Sequence, residues 1–216
     1  MNRRIRLARM SWTFFRQFML NWKTTGAIAP SSPELADLIV ATAGVAKART
    51  ILELGTGTGA FTQRIAEVMG KEARYLGIDL NEGFVERLRA RFDRMNFESV
   101  AAQECDFAAF LGEGNRFDCI VSGLPWAAFP QGLQESILDQ VLPWLEPGGK
   151  FVTFAYAGLH LLPSGRRFRT LLKGRCVELE TTKTVLSNLP PAFVYSASVT
   201  GAGAASNAAI NSRSRR

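Results

Sequence analysis

Three closely spaced glycines stand in residues 51–61, which read ILELGTGTGAF. Gly55, Gly57 and Gly59 let the backbone turn with positive φ angles and bring bare N–H groups close to a ligand. The apolar run before them predicts a buried strand, and the residues after them predict the start of a helix. Asp79 closes the next apolar run, and a carboxylate about 20 residues after such a turn can accept hydrogen bonds from both ribose hydroxyls. The segment therefore predicts the first half of a nucleotide-binding βαβ unit.

Two kinds of cofactor are compatible with this glycine turn. Gly55, Gly57 and Ala60 satisfy the dinucleotide pattern G-x-G-x-x-G/A, so hydride transfer with a nicotinamide is one interpretation. Glu53, the third glycine and the later turn SGLPW at 122–126 favour S-adenosylmethionine, because a carboxylate ahead of the loop can order it and offset a cationic ligand. A turn that binds nothing is disfavoured, since three clustered glycines cost conformational entropy.

The turn at 122–126 supplies a second chemical feature. It follows a predicted strand, Phe117–Val121, whose carboxyl end lies beside the ligand crevice of a doubly wound sheet. Pro125 fixes the turn, and the carbonyls of Ser122 and Gly123 can accept hydrogen bonds from an amine. N-methylation needs such a wall, because a neutral amine must be held with its lone pair facing the methyl group.

Two further groups of side chains could contact a ligand. Asp106, at the tip of a predicted strand, could accept the amino group of adenine while Phe107 flanks the ring, although a surface aspartate is the alternative. The segment from Tyr156 to Arg167 holds a phenol, the single histidine, His160, and two guanidinium groups, and such donors suit a phosphate. A structural histidine beside a solvated arginine pair is the other interpretation of this segment.

Periodicity and capping residues predict the elements that position these groups. The predicted elements are a helix from Pro33 to about Ala46 capped by Ser32, a strand before Gly55, a helix over Phe61–Met69, strands at Arg74–Leu80, Val100–Asp106, Phe117–Val121 and Lys150–Tyr156, a helix capped by Asn81, a helix over Gln131–Leu145, and β segments at Val177–Val185 and Phe193–Thr200. Alternating strands and helices followed by two β segments predict an α/β fold, with a doubly wound, mostly parallel seven-stranded sheet and an antiparallel C-terminal hairpin.

The composition of the chain limits the classes of protein that it can form. The 216 residues are 47% hydrophobic, which suits one domain with a substantial core. Three well separated cysteines predict free thiols in a reducing cytoplasm, and with one histidine and no C-x-x-C pair we expect no metal site. The net charge of +7 belongs to the chain ends: six of the 26 Lys and Arg lie in residues 1–33, which hold no acid, and three lie in the last four residues. Residues 201–216, rich in Gly, Ala, Ser and Asn, predict a disordered tail.

The N-terminal segment is amphipathic. Its bulky residues recur at helical spacing, opposite three cations seven residues apart. Such a helix is typical of an interfacial membrane anchor, in which each cation near an anionic leaflet contributes about 1 kcal/mol. Packing on the protein's own core and RNA binding are the alternatives. The residues expected at the membrane are Arg9, Trp12, Phe14, Phe15, Arg16, Phe18 and Trp22.

From about Phe14 to Val199 the sequence resembles the bacterial phospholipid N-methyltransferases, class I enzymes that methylate phosphatidylethanolamine. The motifs that carry the resemblance are KTTGAIAPSS at 23–32, LELGTGTG at 52–59 and SGLP at 122–125. It implies S-adenosylmethionine as cofactor, and phosphatidylethanolamine and its mono- and dimethyl forms as substrates, with phosphatidylcholine as product. Ornithine lipid would also present an amine, and ribosomal RNA adenine N6-methyltransferases share the glycine loop, although their turn usually begins with Asn.

The resemblance also implies roles for individual residues. The cofactor would be bound by Glu53, Gly55, Thr56, Gly57, Gly59, Asp79, Leu80, Asp106, Phe107 and Ser122. The catalytic wall would comprise Ser122, Gly123, Leu124, Pro125 and Tyr156, and the lipid phosphate would be held by Tyr156, His160 and Arg167. We expect a membrane-docking helix at 1–23, a catalytic domain at 24–200 and the tail at 201–216. The expected protein is a monomer, peripheral on the cytoplasmic face of the plasma membrane, that binds anionic phospholipid but neither nucleic acid nor metal.

Overall fold

The computed structural model describes residues 31–199, and the predictions for the N-terminal helix and the C-terminal tail lie outside this range. Strands and helices alternate along it until the last two strands. The helices are α1 (Pro33–Ala43), α2 (Ala60–Val68), α3 (Glu82–Arg91), α4 (Phe107–Leu111), α5 (Gln131–Val141) and α6 (Pro163–Arg175). The strands are β1 (Thr50–Leu54), β2 (Arg74–Asp79), β3 (Asn96–Ser99), β4 (Phe117–Ser122), β5 (Leu145–Tyr156), β6 (Glu178–Thr181) and β7 (Ala192–Ser198).

Within the described range the strands form one seven-stranded sheet in the order β3-β2-β1-β4-β5-β7-β6. The first five strands are parallel to one another, whereas β7 runs antiparallel to both β5 and β6. The predicted fold class is therefore confirmed. The strand order reverses between β1 and β4, and their carboxyl ends form the crevice in which such sheets bind ligands.

The helix caps follow the sequence closely. The Ser32 hydroxyl accepts a hydrogen bond from the Leu35 N–H at 3.2 Å and thereby caps α1, and the Asn81 side chain caps α3 in the same way at 3.2 Å from the Phe84 N–H. The first helix ends at Ala43 rather than Ala46, because Gly44 adopts a left-handed conformation with φ +71° and closes it.

The predicted third strand is wrong. Residues 100–106 form turns, in which the Cys105 N–H donates to the Ala101 carbonyl at 3.1 Å, and the strand is Asn96–Ser99 instead. The apolar residues of this segment face the core from a turn, which a pattern of burial cannot distinguish from a short strand. A second difference is that α5 ends at Val141 rather than Leu145. Strand β5 begins at Leu145 rather than Lys150 and so includes the Pro-Gly-Gly segment before the predicted strand.

The core lies on both faces of the sheet. One apolar cluster packs α1, α2 and α3 against one face, and the other packs α4, α5 and α6 against the opposite face. Between residues 31 and 199 no helix is both long enough and apolar enough to cross a bilayer.

Candidate active site

The glycine loop connects β1 to α2 at the carboxyl edge of the sheet. Gly55, Gly57 and Gly59 have φ angles of +73°, +53° and +89°, as the spacing predicts. A Cβ on Gly55 would lie 2.7 Å from Leu124, and one on Gly59 would lie 2.6 Å from Leu88. A Cβ on Gly57 would meet nothing within 4 Å. Leucine side chains therefore occupy the space beside two of the glycines, whereas the middle one faces open space that a ligand can enter.

Asp79 holds the loop in this conformation. Its carboxylate accepts hydrogen bonds from the Gly57 N–H and from the Asn81 N–H, each at 2.8 Å. Burial raises the pKa of this carboxyl, and the backbone hydrogen bonds from Asn81, Gly57 and Leu80 oppose the rise. Because each carboxylate oxygen has two lone pairs, Asp79 can still accept hydrogen bonds from ribose hydroxyls.

Glu53 lies at the end of β1 and has no exposed surface. Its carboxyl accepts hydrogen bonds from the Tyr75 hydroxyl at 2.6 Å and from the Thr62 hydroxyl at 3.0 and 3.1 Å. Burial raises the pKa of Glu53 to about 8, although the hydrogen bonds from Tyr75 and Thr62 act in the opposite direction. The sequence predicts that Glu53 orders the loop; in the structure its hydrogen bonds go to the flanking strand β2 and helix α2.

Sequence reasoning missed Tyr75 and Thr62. The available signal was Gly77, two residues after Tyr75 on the same face of β2. A Cβ at Gly77 would lie 2.5 Å from the Tyr75 hydroxyl, so the glycine makes room for this hydroxyl beside Glu53.

Two features other than the glycine spacing also fit a nucleoside cofactor. The Thr56 hydroxyl oxygen is buried and has no hydrogen-bond partner among the described residues. Buried polar atoms are nearly always paired, so this hydroxyl indicates a partner other than residues 31–199. Leu80 follows Asp79 directly and is 40% exposed, which leaves an apolar surface for a base beside the ribose-binding carboxylate.

The structure corrects the predicted role of Phe107. Its ring is fully buried and packs edge-to-face against Phe117 at 5.7 Å and Trp144 at 6.0 Å, so it belongs to the core and does not flank an adenine. Asp106 is exposed and caps α4 by accepting from the Ala109 N–H at 3.1 Å, and its contact with the adenine amino group stays a prediction.

The turn after β4 is built differently from the prediction. Ser122 is fully buried, its carbonyl accepts a hydrogen bond from the Thr153 hydroxyl at 2.9 Å, and its hydroxyl accepts one from the Trp126 indole N–H at 3.0 Å. Ser122 therefore positions the turn, and the expectation that its carbonyl holds an amine is wrong. Gly123 is required by close approach, since a Cβ there would lie 2.6 Å from the Gly55 carbonyl oxygen.

An apolar cavity of about 140 Å³ lies beyond this turn. Pro125, Tyr156 and His160 line it, whereas Arg167 does not. The His160 ring packs edge-on against Phe193 at 4.9 Å, and its Nδ1 lies 3.4 Å from the Tyr156 carbonyl oxygen. The three residues predicted to hold one phosphate are therefore not gathered in one lining, and a role for Arg167 outside the cavity stays a prediction.

The described residues contain no cluster of side chains that could hold a metal ion. Cys105, Cys119 and Cys176 are free thiols, and burial raises the pKa of each, so all three stay protonated at neutral pH.

Similarity to known proteins extends over the site and beyond it. Residues 51–149 match the family model described as Methyltransferase domain. An ornithine lipid N-methyltransferase of Singulisphaera acidiphila is 30% identical over 178 residues, which cover 72% of this chain and 93% of that protein. A probable ribosomal RNA small subunit methyltransferase A of Methanosarcina barkeri is 36% identical over 92 residues, but the match covers only 42% of this chain and 29% of that protein.

Solved structures show the same fold. The N-methyltransferase NodS of Bradyrhizobium japonicum in complex with S-adenosyl-L-homocysteine matches with a TM-score of 0.60 at 17% identity, over 77% of this chain and 86% of that one. Magnesium protoporphyrin IX methyltransferase of Synechocystis with bound S-adenosylmethionine matches with a TM-score of 0.58 at 12% identity, over 78% of this chain and 79% of that one.

The first prediction concerns the pH dependence of folding stability. The pKa of Glu53 is about 8 in the folded protein and near 4.5 in the unfolded chain, so the folded state binds the extra proton between these values. The contribution of Glu53 is complete below pH 4.5 and is lost as the pH rises through 8. We expect Glu53→Gln to flatten the decline in the free energy of unfolding over this interval, as measured by urea denaturation at several pH values. Glu86→Gln, an exposed site on α3, is the control and should leave the slope unchanged; an undiminished slope in Glu53→Gln would contradict the assignment.

The second prediction separates ligand contact from backbone strain. Gly57 and Gly114 both have positive φ and open space where a Cβ would lie, so alanine at either site should cost about 1 to 2 kcal/mol of stability through the left-handed backbone alone. Only Gly57→Ala places a methyl group in the proposed ligand space, and we expect it to weaken S-adenosylhomocysteine binding about tenfold or more by calorimetry. Equal affinities in the two variants would show that Gly57 does not face the ligand.

Proposed function

Because the chain belongs to the class I S-adenosylmethionine-dependent methyltransferase family, we propose that it transfers methyl groups from S-adenosylmethionine to the amine of a membrane amino-lipid. The observation that carries the proposal is the extent of the similarity to the ornithine lipid N-methyltransferase. It spans 93% of that protein and 72% of this chain, far more than a glycine loop alone would match.

The cofactor half of the site, formed by the glycine loop, Asp79 and Leu80, provides the groups that S-adenosylmethionine needs. When bound, the cofactor supplies a methyl group attached to a sulfonium. Asp79 would accept the ribose hydroxyls, Thr56 would gain a partner for its buried hydroxyl, and the space at Gly57 would admit the ligand to the loop backbone. Leu80 would support the base.

The acceptor half of the site, formed by the turn at 122–126 and the apolar cavity, acts by positioning the substrate amine. Direct in-line transfer needs no covalent intermediate, so the protein must hold a neutral amine against the methyl group. Burial in an apolar cavity lowers the pKa of an amine and favours its neutral, nucleophilic form. Burial also raises the pKa of Tyr156, which therefore stays a neutral phenol at physiological pH. Tyr156 can donate a hydrogen bond to a head group but is unsuited to receive the amine proton, so we assign that proton to water.

Two amino-lipids fit the proposed acceptor. The sequence resemblance favours phosphatidylethanolamine, with phosphatidylcholine as the final product. The curated relative favours ornithine lipid. Both present a primary amine near an acyl-bearing head group, and we propose the shared chemistry, N-methylation of a primary amino-lipid, as the activity.

Nucleic acid methylation has less support. The similarity to the ribosomal RNA enzyme covers 42% of this chain. Trp126, the aromatic residue that would have to stack on a flipped base, is 2% exposed and stacks internally on Phe168 at 4.5 Å with the rings 14° apart. A base could reach this ring only after the core contact was broken.

The third prediction identifies the acceptor. With radiolabelled S-adenosylmethionine and vesicles of mixed composition, we expect label in the lipid phase when phosphatidylethanolamine or ornithine lipid is present, and none when both are replaced by phosphatidylglycerol. Separate vesicles decide between the two lipids, and mass spectrometry counts the methyl groups. Labelled ribosomal RNA beside unlabelled lipid would refute the proposal.

The fourth prediction concerns location. We propose that residues 1–23 hold the enzyme on the anionic inner face of the plasma membrane, since this segment carries six cations and no acid. Deleting residues 1–22 should abolish sedimentation with phosphatidylglycerol vesicles and leave S-adenosylhomocysteine affinity unchanged. Deletion of residues 201–216, which removes three other cations, is the control and should leave vesicle binding intact. Unchanged vesicle binding after the N-terminal deletion would exclude the anchor.

A further inference from the structure

The cavity beyond the turn is surrounded by aromatic rings from four separate elements of the fold. The turn after β4 contributes one ring, β5 two, α6 one and β7 one, and the segment between β5 and α6 adds the imidazole. These residues are Trp126, Phe154, Tyr156, Phe168, Tyr195 and His160. Trp126, Phe168 and Tyr195 belong to the buried core, whereas Phe154, Tyr156 and His160 are only partly buried and can meet a ligand. The remaining lining is Ala, Leu, Pro and Gly.

The volume of the cavity limits what it can hold. At about 140 Å³ it is close to an engineered cavity of about 150 Å³ that binds benzene. A compact group of roughly six heavy atoms therefore fits inside it, whereas most of an acyl chain with more than twice that number of carbons would have to lie outside it. The cavity is matched to a small head group rather than to a lipid tail.

The chemistry of the lining selects among small head groups. Among the described residues, none of those that line the cavity is Asp, Glu, Lys or Arg. An unmethylated ammonium has three N–H donors, and it loses their hydrogen bonds to water when it enters an apolar cavity. Each added methyl group removes one donor, and a methylated ammonium is attracted by the faces of aromatic rings. Suitability for the cavity therefore rises with each methyl group.

We propose that this cavity is a cation–π site for the methylated ammonium group of the substrate, and that it retains the mono- and dimethylated amine between successive transfers. The inference rests on the proposed amine acceptor. It assigns Phe154 and Tyr156, which line the cavity and are only partly buried, to the binding of the methylated head group, in place of the phosphate predicted from the sequence.

The test compares two small probes of nearly equal shape. Choline carries a quaternary ammonium, and 3,3-dimethylbutan-1-ol has a carbon in place of the nitrogen. Titration of the full chain, saturated with S-adenosylhomocysteine, should show choline binding about fivefold or more tightly than the neutral alcohol, because only the cation is attracted to the ring faces. Equal affinities, tighter binding of the alcohol or no binding of either probe would overturn the proposal.

A matched pair of variants locates the binding. Phe154 is half-buried and packs edge-to-face on Tyr156 at 5.2 Å, while Phe92, also half-buried, lies outside the cavity lining. Phe154→Leu keeps an apolar side chain but removes the ring, and should weaken choline binding about threefold or more while binding of the alcohol changes little. Phe92→Leu should bind both probes as the wild type does. Thermal melting and S-adenosylhomocysteine affinity check that each variant is folded, and undiminished choline binding in folded Phe154→Leu would overturn the assignment.

The outcomes also separate this inference from the proposed function. Selective choline binding without methylation of any amino-lipid would refute the lipid acceptor and leave the cation site standing. Lipid methylation without selectivity for choline would refute the cation site and leave the lipid acceptor standing. If both hold, Phe154→Leu should release a larger share of monomethylated lipid than the wild type does.

Discussion

A carboxyl group without exposed surface fixes the geometry of the cofactor half. Glu53 is the penultimate residue of β1, and its hydrogen bonds reach Tyr75 on β2 and Thr62 on α2. Burying such a group is costly unless its oxygens are hydrogen-bonded, so the three elements are held in one arrangement. The contact with α2 matters particularly, because Gly59 at the start of that helix has no side chain with which to cap it. The glycine loop therefore spans two ends that are fixed by the same carboxyl group.

Backbone contacts fix the acceptor half relative to the elements that Glu53 holds together. The Gly123 N–H donates to the Leu54 carbonyl at 2.8 Å, and the missing side chains of Gly55 and Gly123 let the two loops abut. Farther along the turn, the Ser164 hydroxyl at the start of α6 donates to the Ala127 carbonyl at 2.6 Å, and Gln134 on α5 donates to the Trp126 carbonyl at 2.7 Å. The turn is thus held from both sides, and its serine and tryptophan serve this architecture.

Local features are predictable from the sequence, and contacts between distant elements are not. Glycine spacing, the caps at Ser32 and Asn81 and the alternation of elements depend on neighbouring residues, and the structure confirms them. Whether a polar atom faces a ligand or another strand depends on register, and for that reason the Ser122 carbonyl, expected to hold an amine, bonds to Thr153. The expectation for the ring of Phe107 is wrong for a related reason. An aromatic residue after a strand can turn to the ligand or to the core, and only the packing of α4 decides.

The two halves of the site differ in polarity, and the difference suits the proposed reaction. The cofactor half contains Glu53, Asp79 and the Thr56 hydroxyl, whereas the acceptor half is lined by rings. Methyl transfer to a neutral amine moves positive charge from sulfur to nitrogen, away from Asp79 and towards the aromatic lining. A methylated ammonium needs few hydrogen-bond acceptors, so the rings can stabilise the product charge that an unmethylated ammonium would leave unpaired. The proton that each round releases has no carboxylate to receive it in the described lining. We assign this proton to water, which must accept it before the next methyl group is transferred.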